Sequence, residues 1–412
     1  MTRTDITVPQ KIGIWAGALL VASLFVHGLE LATPGLLDRS GRLKASDYSR
    51  LYVTGAIAHE GRWGMLFDAN THLAVAKARV HPQLEMEGLH PNYGPTAAWL
   101  LGPFSRLSFL RSWLAFTIVS TTLYLLAILA LVDTTPALAR WRWLVLLGAL
   151  ASPALFTAMR YGQLSAVTAA VFAVTAAAGR RGRPWIAGFC LGLASYKPNL
   201  IVPALTIWLL AREWRLLGGL VGGAIAHVGV GVIVAGPSVT VEWIHVLATL
   251  ARDPNLIQGF PGEVHSLRGF WRLLGLQGAA LGALALLTSL AVVVVAVRIW
   301  RAGSTSARWA GLTAATILVS PHLLTYDLLL LSGALVLILE TALEQGQRLR
   351  LTCLPVLLCL GLYFAPLISP LPAGEMRFQL STLAMLGLLG WLAGTTSAAS
   401  SGAASSNPII SS

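Results

Sequence analysis

Twelve apolar runs follow one another along the chain, at residues 12–31, 112–133, 143–159, 163–178, 184–196, 199–211, 216–235, 279–298, 309–320, 326–342, 351–367 and 379–394. A helix of roughly 17–25 apolar residues is what crosses a bilayer. A succession of such runs predicts an all-α polytopic membrane protein. Composition agrees where it matters: 56% of residues are hydrophobic and 11% charged, against about 25% charged in soluble domains. A soluble globule of this make-up would expose too much apolar surface. Disorder is excluded, because disordered chains are charged and poor in apolar residues. The polar start, residues 1–11, precedes an apolar run without a small-residue cleavage site, which reads as a retained span and not a signal peptide.

Basic residues set the expected orientation. The chain carries 29 Lys and Arg against 17 Asp and Glu, net +12. In a soluble protein that excess would suggest nucleic acid; here it anchors spans, and no nucleic-acid partner is expected. One more apolar stretch, 95–109, carries Gly102, Pro103 and Ser105. If it crossed the membrane, the clusters Arg140/Arg142, Arg180-Arg181-Gly182-Arg183, Arg212-Glu213-Trp214-Arg215, Arg298/Arg301/Arg308 and Arg348/Arg350 would fall outside. If it does not cross, the short segments carry 14 Lys and Arg inside and 3 (Arg160, Lys197, Arg377) outside. So 95–109 reads as a re-entrant or interfacial hairpin, of the kind tolerated only under protein or beside a water-filled cavity. The expected domain is 1–394, about twelve spans with both termini inside. It has two long external loops, 33–111 and 236–278, and a flexible Ser/Ala/Gly-rich cytoplasmic tail, 395–412.

Polar residues that break the apolar pattern gather on the external side. They are Asp47, Arg160-Tyr161-Gly162-Gln163, Tyr196-Lys197-Pro198-Asn199, the second-loop segments Asp253-Pro254-Asn255 and Glu263-Val264-His265-Ser266-Leu267-Arg268, and Pro321-His322 with Tyr326-Asp327. Each has a plainer reading. Asp47 could favour a helix start capped by Ser46. Lys197 could snorkel. Arg268 and Glu263 could be a surface ion pair, His322 an interfacial histidine, and Tyr161-Gly162-Gln163 a turn. His59, His72, His81 and His90 show no metal spacing. Cys190, Cys353 and Cys359 each lie in an apolar run and build neither a metal site nor a disulfide framework. No Walker motif and no glycine-rich dinucleotide motif occurs. Taken together, the external group suits one chemistry. A carboxylate acts as base toward a hydroxyl. Arg and Lys neutralise a phosphate leaving group. A histidine orients the base or binds the phosphate. A lipid-borne donor would arrive laterally from the bilayer.

At these residues the chain resembles glycosyltransferase family 87, the polyprenol-phosphate-mannose-dependent α-mannosyltransferase-like membrane proteins of bacteria with the GT-C fold. Five stretches carry the resemblance in order. They are Asp47-Tyr48-x-x-Leu51-Tyr52-x-x-Gly55 with Gly61 and Leu66-Phe67-Asp68; Tyr93-Gly94-Pro95, where the family usually has Tyr-Pro-Pro; Gly162-Gln163; Gly188 through Lys197-Pro198 to Trp214-Arg215; and Ser320-Pro321-His322 with Tyr326-Asp327. The resemblance implies inverting transfer of a sugar, mannose first, from a polyprenyl-phosphate donor to a hydroxyl of a lipid or glycan acceptor. The site would face the periplasm or exterior of a bacterial plasma membrane, with no cofactor and no metal. It maps the catalytic base to Asp47 and the family's histidine to His322. Arg268, Lys197 and Arg160 are then expected at the phosphate, and Gln163, His265, Glu263, Tyr326 and Tyr52 around the substrates. Alternatives are a transferase using lipid-linked arabinofuranose or glucose, a transporter or flippase, and a non-enzymatic membrane scaffold. A transporter would need ionisable residues at mid-membrane and usually an internal repeat. His227 is the main such residue in the spans, and no convincing repeat is found.

Overall fold

The computed structural model describes residues 8–84, 91–252, 261–368 and 379–405. His90, Asp253-Pro254-Asn255, Arg3 and Arg377 lie outside the described residues. Within them the chain is helical, with no strand beyond two isolated bridges.

The first apolar run becomes α1 (Val8–Leu31). The first long loop is itself helical. It holds α2 (Tyr48–His59), α3 (Ala69–Arg79) and α4 (Pro95–Leu101), the last continued by a 3-10 turn over Gly102–Arg106. Next come α5 (Phe109–Val132), α6 (Arg142–Leu150), α7 (Pro153–Tyr161), α8 (Ser165–Arg180), α9 (Pro184–Gly192), α10 (Ile201–Ala211) and α11 (Trp214–Ala235). The second long loop carries α12 (Pro237–Arg252) and α13 (Leu267–Leu273). The rest is α14 (Gly278–Ala302), α15 (Thr305–Val319), α16 (Leu331–Glu344), α17 (Leu354–Ile368) and α18 (Leu380–Ser405). The last helix continues into the segment expected as a tail.

Every expected span coincides with a helix, but their lengths differ. Among the described residues, five helices are long and apolar enough to cross a bilayer: Gln10–Leu31, Phe109–Val132, Trp214–Ala235, Gly278–Ala302 and Thr325–Glu344. The run 143–159 is α6 and α7, bent by 44° at Ala151-Ser152 because Pro153 starts a new helix. The runs at 163–178, 184–196, 199–211, 351–367 and 379–394 form shorter apolar helices, two of them with 3-10 turns beside Lys197. The chain is thus a polytopic membrane protein. The stretch 95–109 does not form a span: seven α and five 3-10 residues reach about 20 Å, against about 30 Å of hydrocarbon. It packs against α2 and α11.

Two apolar cores flank the polar region. The larger joins α5, α8–α11 and α14–α18. The smaller belongs to the first loop, where Tyr48, Leu51, Tyr52, Ile57 and Leu66 pack on Tyr93, Leu101, Phe109 and Phe116. Within the bundle α9 and α11 meet along Gly188, Gly192, Gly219 and Gly223. A β-carbon at any of these would stand 2.0–2.3 Å from a carbonyl oxygen of the other helix. Small residues four apart let helix backbones approach closely where lipid gives no hydrophobic drive. At one end of the bundle Arg180 donates to Thr134 and Ser306, Ser306 donates to Glu344, and the Ala137 N–H donates to Glu340. The turns at residues 161–163, 196–198, 262–268 and 320–327 collect at the other end.

Candidate active site

Asp47 immediately precedes α2, where the plainer reading was a charge favouring a helix start capped by Ser46. The Asp47 side chain makes no capping hydrogen bond among the described residues. Instead the Gln163 side-chain amide donates to Asp47 Oδ2 across more than a hundred residues of sequence. Gln163 reaches it because α7 ends at Tyr161 and Gly162 turns the chain with φ 71° and ψ 45°. The Gln163 N–H then bonds back to the Ala158 carbonyl at 2.9 Å. Gln163 is buried and Asp47 half-buried, and Gln163 holds one of the carboxylate oxygens.

Charged and phenolic groups converge on Asp47. Glu263, from the second loop, lies close enough for the two charges to repel. Burial first, then the Asp47 charge, push the Glu263 carboxyl above the ordinary glutamate range, with Arg42 opposing. Tyr161 is within electrostatic reach of Glu263, Asp47 and Arg42, and its ring stands 5.9 Å from that of Tyr326. Tyr326 is buried within reach of Asp47, Asp327 and Arg50. Arg42 and Arg50 were not among the residues expected from sequence. Arg50 had a readable signal: it follows Asp47 by three residues, the spacing that puts two side chains on one helix face.

Lys197 does not stand as a lone cation. Its ammonium meets Asp327 Oδ1 at 3.1 Å, and the Asp327 side chain is almost wholly buried. The Ser165 hydroxyl donates to the same oxygen at 2.6 Å, and the Leu324 N–H to the other at 3.3 Å. Burial works most strongly against the Lys197 charge, but Asp327, with Tyr93 and Tyr196 adding to it, together hold the ammonium above the ordinary lysine range. Tyr93 is the shared neighbour, within reach of Lys197, Arg50, Asp327 and Asp47. Asp327 entered the sequence reading only inside a motif, without a role.

The second loop is stitched to the turn after α15. Val264 pairs with Leu324, and the His265 N–H donates to the Leu323 carbonyl at 2.8 Å. Gln379 donates to the Gly262 carbonyl at 2.9 Å. The His265 ring shares hydrogen bonds with Ser381 at 2.6 Å and Thr325 at 3.1 Å, so it clamps the loop to α18. Beside this clamp, Arg268 Nε and His322 Nδ1 are buried with no hydrogen-bond partner among the described residues. Burial, then the Arg268 charge, lower His322 to about 4. The imidazole is therefore neutral at pH 7 next to a guanidinium, an arrangement able to receive an anion.

Burial lowers His265 to about 3, against about 6.5 in an unfolded chain. The folded protein keeps it neutral. Its contribution to stability is complete above pH 6.5 and is lost as pH falls from 6.5 toward 3, by up to about 1.4 kcal/mol per pH unit. Thermal unfolding in detergent should show the melting temperature falling between pH 6.5 and 5. In His265→Gln that fall should be shallower. Parallel slopes in the two proteins would remove His265 as its source.

Two expected residues face elsewhere. Arg160 pairs with Glu30 at 3.3 Å and Asp38 at 3.7 Å, tying α7 to the end of α1 and the start of the first loop. Tyr52 donates to the Leu107 carbonyl at 2.9 Å inside the first-loop core. The structure thus brings Asp47, Gln163, Glu263 and Tyr326 together, sets Lys197 beside them with Asp327, and places Arg268 with His322 next to the His265 clamp.

A membrane helical bundle with polar and charged side chains gathered at one end is the class this arrangement defines. The profile of glycosyltransferase family 87 matches residues 92–321, more than half of the chain. The chain belongs to that family and is a membrane glycosyltransferase. The match takes in Gln163, Lys197, Glu263, His265 and Arg268; His322 directly follows its last residue, while Asp47 lies well before its start. No curated protein matches the chain in sequence.

Proposed function

We propose that this enzyme transfers a hexose, mannose first, from a polyprenyl-phosphate sugar to a hydroxyl of a lipid or glycan acceptor. On this reading the bundle is a GT-C fold of about twelve spans, and the site faces the periplasm or exterior of a bacterial plasma membrane. The observation that carries the proposal is the Asp47 carboxylate, held at one oxygen by Gln163 and left out of helix capping. Such a carboxylate is poised as a general base.

Asp47 takes the proton from the acceptor hydroxyl as that oxygen attacks the anomeric carbon. The bond from the anomeric carbon to the phosphate oxygen breaks on the opposite face, so the configuration inverts. Negative charge grows on the departing lipid phosphate. Arg268 and His322 are the groups best suited to receive it, since both carry a buried nitrogen without a partner among the described residues. Lys197 is less suited, because Asp327 already meets its charge, and Arg160 least, because it holds Glu30 and Asp38. A lipid monophosphate is a leaving group that basic side chains can neutralise without a metal ion.

The test uses purified protein in nanodiscs with polyprenyl-phosphate mannose, radiolabelled in the sugar, and a lipid extract of its host. Label should move to an acceptor with an anomeric configuration opposite to the donor's. Transfer from polyprenyl-phosphate arabinofuranose or glucose but not mannose would replace the sugar. Transfer from a nucleotide sugar alone would overturn the lipid-linked donor.

A further inference from the structure

α12 starts where a membrane span ends. α11 stops at Ala235, and Gly236, with φ 89°, turns the chain into Pro237. At about 100° per residue, the residues of α12 after Pro237 fall into three stripes. Val239, Thr240 and Trp243 are buried, flanked by half-buried Val246, Leu247 and Leu250; this stripe packs on α4 and α11. Ser238, Glu242, His245, Thr249 and Arg252 form an exposed polar stripe. Between them, Val241, Ile244, Ala248 and Ala251 form an exposed apolar stripe. A helix on the surface of a soluble protein needs one apolar stripe, the one facing the core. The second one here meets no protein among the described residues. α11 likewise exposes Val232 and Ile233, just before the turn into α12.

Trp243 fixes the rotation of this helix. It is 3% exposed. Its indole N–H donates to the Asn92 carbonyl at 3.3 Å, and its ring lies 6.1 Å from that of His227 on α11. The ring also occupies the space over Gly94, where a β-carbon would stand 2.6 Å from it. Any other residue at 94, proline included, would push Trp243 out and turn the apolar stripe away from α11.

We propose that α12 lies in the membrane interface, with the Val241–Ile244–Ala248–Ala251 stripe against lipid acyl chains and the Ser238–Glu242–His245–Thr249–Arg252 stripe in water. A helix divided in this way is stable at the boundary between the two solvents. Arg252, at its end, keeps its charge in water while its stem lies along the apolar surface. Glu263, His265 and Arg268 belong to the loop that α12 begins, so the bilayer sets the height of one side of the site.

The experiment replaces the three native cysteines and introduces Val241→Cys, Glu242→Cys, Ile244→Cys, His245→Cys or Ala248→Cys one at a time. Each variant is spin-labelled and reconstituted into phosphatidylethanolamine–phosphatidylglycerol vesicles. Collision with oxygen, which dissolves in acyl chains, should dominate at 241, 244 and 248. Collision with a nickel chelate, which stays in water, should dominate at 242 and 245. These positions are on the surface, so the variants should fold, which thermal unfolding checks. Nickel access equal at all five would overturn the proposal by placing the helix in water. Exclusion of both reagents from 244 would overturn it by showing a protein cover.

Discussion

Asp47→Asn should lower turnover by about 10²–10⁴-fold, the usual effect of losing a general base, while leaving the protein folded. Asparagine keeps the size of the side chain and an oxygen that can still accept from Gln163. What it lacks is the basicity. The stability change should stay within the helix-dipole contribution of a first-turn carboxylate, about 0.3–1 kcal/mol, because Asp47 caps nothing among the described residues. Binding of the donor should change little, so the loss belongs in kcat. Gln163→Ala is the graded comparison. It keeps the base but frees its orientation, and a hydrogen bond to a charged group is worth about 1.5–3 kcal/mol, a loss of about ten- to a hundredfold. Single-turnover assays of both variants, with thermal unfolding beside them, check the pair. Near-normal turnover in Asp47→Asn would sink the assignment. Loss of activity in Glu263→Gln alongside it would hand the role to the neighbouring carboxylate.

The apolar runs were legible because each spans enough consecutive residues to dictate a helix on its own. Their lengths were less legible. Pro153 divides one run, and the turns around Lys197-Pro198 divide others, through backbone geometry that hydropathy does not register. The first long loop reads from sequence as a loop holding juxtamembrane or re-entrant helices, one starting at Ser46-Asp47 and one within 95–109. In the structure it is three helices with their own core, whose partners, Tyr48 with Phe116 for example, are too far apart in sequence to be paired by periodicity. The site was legible as a set of residues on one side of the bundle. Its pairings were not. Lys197 and Arg160 both looked like free cations beside turns, yet Asp327 meets the first and Glu30 with Asp38 the second. Nothing local to either basic residue announces a carboxylate brought in by another helix. Gln163 was legible as a turn residue and, by resemblance, as one expected around the substrates, but not as the donor to Asp47, which rests on the turn at the residue before it.

Gly162→Ala should destabilise the protein by about 2–5 kcal/mol and disable the site. Two terms add. A residue with a β-carbon in the left-handed region costs about 1–2 kcal/mol, and Gly162 has φ 71°. The new methyl would also stand 2.4 Å from the β-carbon of Tyr48 and 3.1 Å from the Trp113 ring. Neither neighbour can yield easily. Tyr48 is fully buried, its hydroxyl hydrogen-bonded to Ser112 at 2.7 Å. The Trp113 indole donates to the Met159 carbonyl at 2.9 Å. Overpacking of this kind typically costs about 1–3 kcal/mol more. The strain falls between Tyr48, which follows Asp47, and Gly162, which precedes Gln163, so relieving it must part the base from its hydrogen-bond donor. Gly182 supplies the control. It has the same φ of 71° with nothing within 4 Å of a β-carbon, so Gly182→Ala should cost only the backbone term and keep its activity. Melting temperatures and transferase rates of the two variants separate the contributions. Equal destabilisation in both, with activity retained in Gly162→Ala, would mean that the α2–α7 contact does not hold Asp47 in place.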